Sequence, residues 1–162
     1  MKKIVLILML TIGYISMASG MDESNTGARL NVLFWTAGGT LDGEIEAGEG
    51  NKERDYHGLD LNLVSLSKSR DFTGYQFSIF GMNKVEGDFT GLGQGMVNYH
   101  KGKSEGVQIG AINIGKSVKG AQWGLINTAK KLNGFQIGFL NYSPDGFLPI
   151  FPFFNISKSI ID

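Results

Sequence analysis

Two histidines and no cysteine leave this chain few routes to side-chain chemistry. Thiol catalysis and thiolate metal ligation both need Cys, so they are excluded. His57 and His100 are far apart in sequence, and no Ser–His–Asp order can be argued from them. A metal at His57 would draw on the carboxylates between Glu49 and His57, but a solvated acidic loop is the simpler reading of such a charge run. His100, in YHKGK, reads as a turn residue. Gly91, Gly93 and Gly95 imitate a phosphate loop, yet they lack the strand–loop–helix context and the following Lys. Trp35 and Trp123 could stack on a sugar. Both fall on apolar alternation, however, which suits packing in a core or against a membrane. The sequence therefore predicts no catalytic, cofactor or metal residue and no enzyme. The 15 basic and 15 acidic residues form no basic cluster of the kind nucleic acid needs.

The strongest signal is a repeat. Three consecutive blocks share the frame Gly, x, Gln, x, Gly, x, aliphatic, Asn with a period of 14. The first holds Gly106, Gln108, Gly110 and Asn113. The second holds Gly120, Gln122, Gly124 and Asn127, and the third Gly134, Gln136, Gly138 and Asn141. Weaker copies precede them. GLGQGMVN from Gly91 keeps both glycines and Asn98 but shifts Gln94 by one place. GYQFSIFG from Gly74 keeps Gln76, and GLDLNLVS from Gly58 keeps the first Gly and the alternation. The starts at 58, 74, 91, 106, 120 and 134 tighten toward the C-terminus.

Positions 2, 4 and 6 of each unit are apolar in nearly every copy, as in Val107, Ile109 and Ala111 or Ala121, Trp123 and Leu125. Period two marks a strand with one buried face, and the apolar set is the expected inner one. The 24 glycines, about twice the usual share, oppose helix. Position 7 is apolar as well (Ile112, Ile126, Leu140), so the alternation slips there and predicts a bend before the Asn.

Two all-β architectures fit. In a repeat β-solenoid of about six coils, identical residues stack about 4.8 Å apart, and Gln and Asn can hydrogen-bond up the column. In an eight-stranded up-and-down membrane β-barrel, positions 2, 4 and 6 would face lipid. The exact return of Gln and Asn favours the solenoid with parallel coils. RLNVLFW, residues 29–35, reads as an opening strand, and residues 36–57 read as an acidic, Gly-rich mobile loop. The segment 147–162 is an apolar C-terminal cap, because Pro149 and Pro152 bar it from a central strand.

The start predicts export. Lys2 and Lys3, the apolar run Ile4 to Ile15, and small residues Ser16, Ala18, Ser19 and Gly20 form a signal peptide over residues 1–20. Cleavage after Ala18 or after Gly20 fits equally. Residues 21–162 then form a single domain.

FWTAGG, GLDLNL, the run of GxQxGxxN units and the close LPIFPFFN together resemble a family of bacterial exported surface-repeat proteins. The resemblance covers nearly all of the chain after residue 20. It implies a place in the cell envelope, the outer membrane or the cell surface, with the membrane or another envelope protein as partner. It brings no catalytic or ligand-binding residues, and so leaves a scaffold or interaction surface as the expected role. A structural or pore-like barrel is the alternative.

Overall fold

The computed structural model describes residues 26–32, 35–40, 45–49 and 55–161. The expected signal peptide lies outside the described residues. The strands are β1 (Thr26–Val32), β2 (Trp35–Thr40), β3 (Ile45–Glu49), β4 (Tyr56–Ser69), β5 (Phe72–Val85), β6 (Phe89–Gln94), β7 (Val97–Tyr142) and β8 (Ile150–Ile156). A short helical turn, Lys158–Ile161, follows.

The chain winds as a β-solenoid, not a barrel. Gly27, Gly58, Gly74, Gly91 and Gly106 are successive partners in one parallel ladder. Inside the 46-residue β7 the winding continues, with the Gly106 carbonyl against Gly120 and the Gly120 carbonyl against Gly134. Equal spacing in sequence thus becomes equal height in space.

These first-position glycines are required twice over. Each from Gly58 to Gly134 has φ between +126° and +153°, a region L side chains avoid. A Cβ on any of them would also lie about 2 Å from the carbonyl oxygen of the glycine below, for example 2.1 Å at Gly120. The second glycines answer to the neighbour alone: a Cβ on Gly124 would lie 2.1 Å from the Gly110 oxygen.

Both ends are closed by antiparallel strands. β2 pairs with β1, and β3 with β2. Part of the expected acidic loop 36–57 is therefore strand, with segments 41–44 and 50–54 outside the described residues. The reason is local: Thr36–Thr40 and Ile45–Glu49 alternate well enough to pair, and the edge of the first coil offers unpaired backbone groups. At the other end β8 lies antiparallel on the last coil, with an irregularity between Gly138 and Asn141. Phe153 occupies this stretch at φ 67°. Pro152 sits in an edge strand, where its missing N–H costs no ladder bond.

The interior reverses the sequence expectation. Gln76, Gln108, Gln122 and Gln136 are buried, as are Asn83, Asn98, Asn113, Asn127 and Asn141. Positions 2, 4 and 6 point outward: Trp123 is 61% exposed, Leu125 63% and Phe139 72%. A narrow coil accounts for this. Its lumen is taken up by Gln and Asn bonded along the axis, and in the N-terminal coils also by the stacked rings of Tyr56, Phe72 and Phe89, so positions 2, 4 and 6 are left outside. Apolar packing survives in two small clusters, Tyr56, Phe72, Val85 and Phe89, and then Val118, Ala129 and Leu132.

Candidate functional site

The repeat residues assemble into two amide columns. In the first, Gln136 Nε2 donates to Gln122 Oε1 at 2.7 Å, and Gln122 Nε2 donates to Gln108 Oε1 at 2.6 Å. Each of these amides spends its second hydrogen on a carbonyl, Tyr142 O for Gln136 and Thr128 O for Gln122. In the second column, Asn98, Asn113 and Asn127 each donate to the Oδ1 of the next Asn at 2.8 Å. Their other hydrogens go to the carbonyls of Ile109, Trp123 and Ile137. The Gln column donates toward the N-terminus and the Asn column toward the C-terminus. Their dipoles oppose and cancel, while each chain of amides strengthens its own links.

The cap completes both columns. Asn155 of β8 donates to Gln136 Oε1 at 3.4 Å, and Asn141 donates to Phe151 O at 3.1 Å. At the other end, Asp60 stands at the Gln level. It accepts from Ser67 Oγ at 2.5 Å and from Gln76 Nε2 at 3.1 Å. Arg29 is the register partner of Asp60 on β1.

One level breaks the Gln column. Gly93 stands where Gln belongs, the Phe89 ring lies over it, and the Gln column ends on His100 instead. Gln108 Nε2 lies 2.5 Å from His100 Nδ1, Ser104 Oγ lies 2.9 Å from the same nitrogen, and the Phe89 ring centre is 4.2 Å away. His100 is thus an interior residue of β7, which corrects the expected turn. An amide can donate only to an unprotonated Nδ1, so the imidazole is neutral with its proton on Nε2. Nε2 has no hydrogen-bond partner. Burial pushes the His100 pKa down to about 3.

Two ion-pair groups lie nearer the surface. Arg70 forks onto Asp55, and its guanidinium holds the Asp55 carboxyl below the usual range. Lys101 and Lys84 do the same for Glu86. Gly91 and Gly93 belong to strand β6, and the Gly95 N–H donates to Ile109 O at 2.9 Å. Among the described residues no cluster of three His, Asp or Glu could hold a metal.

The outer surface carries the remaining feature. Leu59, Tyr75, Leu92 and Val107 are successive partners, and so are Leu61, Phe77, Gln94 and Ile109. With the position-6 residues Leu63, Ile79, Met96, Ala111, Leu125 and Phe139 they form three columns on one side. Gln94 is the one polar residue at these positions, and it accepts a hydrogen bond from Tyr75 Oη at 3.2 Å. β8 extends the side, with Ile156 beside Phe135 and Phe154 beside Ile137. Lys116, Lys119, Lys130 and Lys131 come from the other half of each coil. Trp123 lies in the middle column, away from any core.

No family model matches the chain, and neither any curated protein nor any solved structure does.

Proposed function

We propose that this is a non-catalytic exported repeat protein of the bacterial envelope or surface, acting as a scaffold that presents an interaction surface. One observation carries the reading. The polar side chains that recur are consumed inside the coil, while the recurring apolar ones are turned outward. A buried amide whose hydrogens and oxygen are all bonded to neighbouring coils is committed to holding the stack. An outward apolar side spanning all the coils is what a docking surface needs. The charged start, the apolar run and the small residues before Met21 support export.

N-terminal sequencing of the protein from isolated envelopes tests this. The expected start is Ser19 or Met21. Protein recovered with Met1, or from the cytoplasm, would overturn the proposal.

A further inference from the structure

We propose that the apolar side of the solenoid docks onto an anionic phospholipid bilayer, lying in its interface without crossing it. This rests on the envelope reading and names the partner of the outward surface.

The extent of the side comes first. From the coil at Gly58 to β8 there are six steps of about 4.8 Å, which gives a length of about 29 Å. Positions 2, 4 and 6 are two intervals of about 6.7 Å apart, which adds a width of about 13 Å before side chains overhang. That is several hundred Å² of apolar surface interrupted by Gln94, the size of the largest patch on a typical monomer, which is often functional. No charged residue occupies positions 2 to 7 of any unit from Gly74 onward. A protein partner of ordinary affinity is usually met with a polar rim and scattered hydrogen-bonding groups. A charge-free side with exposed lysines in the other half of each coil is a division that suits a lipid interface.

The charge distribution selects the lipid. Residues 22–90 hold six basic and twelve acidic side chains, a net of −6. Residues 91–161 hold seven lysines against Glu105 and Asp145, a net of +5. The basic half is also the half with the most exposed apolar side chains, Trp123, Leu125, Phe135 and Phe139. Attraction to anionic headgroups and burial of apolar surface therefore act on the same end of the molecule.

A second copy is the competing occupant. Edge-to-edge association is hindered at the C-terminal end, because β8 carries Pro152 and closes the last coil. Parallel face-to-face pairing would set the two basic halves together, whereas an antiparallel pair would set the basic half of each copy against the acidic half of the other, so the mass of the protein is read alongside its vesicle binding.

Flotation of the full chain with vesicles, combined with brominated-lipid quenching of tryptophan, tests the inference. The protein should float with phosphatidylglycerol vesicles and far less with phosphatidylcholine vesicles. Emission should shift to the blue and be quenched by brominated acyl chains, and Trp123→Phe should remove that quenching. The double variant Leu125→Ser/Phe139→Ser should keep its circular dichroism, since both side chains are mostly exposed. Its vesicle affinity should drop at least about tenfold, as expected from losing two inserted apolar side chains. Residues 4–15 are common to all variants, so the difference reports the apolar side alone. Binding without Trp123 quenching, or unchanged affinity of the double variant, would overturn the inference. So would a lipid-independent blue shift with a doubling of mass, which would assign the side to a second copy. A processed N-terminus in the envelope together with any of these results would leave the export proposal standing and remove only the bilayer.

Discussion

Replacing Gln122 by Leu should destabilise the protein more than replacing its neighbour Trp123 by Ser, although the first change adds an apolar side chain and the second deletes one. Gln122 is completely buried, and its amide serves three partners: it donates to Gln108 Oε1 and Thr128 O and accepts from Gln136 Nε2. Leu fills nearly the same volume, so the cavity contribution is small. The part-buried Thr128 carbonyl loses one donor, and the fully buried Gln108 Oε1 and one Gln136 N–H are left without a partner. Each such group costs about 1–3 kcal/mol, which gives about 2–6 kcal/mol for Gln122→Leu. Trp123 is 61% exposed, so Trp123→Ser should change stability by about 1 kcal/mol or less. Urea unfolding followed by circular dichroism reads both. With a slope near ~2 kcal/mol/M, Gln122→Leu should lower the midpoint by about 1–3 M and Trp123→Ser by under about 0.5 M. Equal or higher stability for Gln122→Leu, with collapse of Trp123→Ser, would refute the assignment of inside and outside.

Two further outcomes follow from the interior. Gly120→Ala places a Cβ at φ +132° and 2.1 Å from the Gly106 carbonyl, so it should cost at least about 2 kcal/mol, whereas Lys119→Ala on the surface should cost about 0.5 kcal/mol or less; equal urea midpoints for the two variants would contradict the stacking. His100 carries a folded pKa of about 3, below its ordinary value of 6.5. The unfolded chain takes the proton first, so stability should be lost as pH falls from 6.5 toward 3, by about 1.4 kcal/mol per unit. His100→Leu should remove that share of the pH slope, and an unchanged slope between pH 6.5 and 5 would show that His100 is not buried neutral.

The period, the strands and the columns were legible in the sequence. Fourteen-residue spacing with Gln and Asn returning at fixed places favoured stacked, parallel coils over a barrel, because there an identical amide meets its copy at hydrogen-bond distance. The glycine frame pointed to close backbone approach, and Pro149 and Pro152 pointed to a capping edge. Tertiary structure alone decided which side of the strand is inside. Alternation separates two faces but does not orient them, and the hydrophobic effect suggested the wrong one. The sequence did hold a sign of the answer: across the three full repeats position 2 runs from Ala121 to Phe135 and position 6 from Ala111 to Phe139, while positions 3 and 8 stay Gln and Asn. A coil of constant cross-section requires constant volume inside and tolerates any volume outside. His100 could not be placed from sequence either, since its burial depends on the Phe89 ring and the Gln108 amide that close on it from other stretches of the coil. Those contacts exist only once the coil has closed and brought the three side chains together.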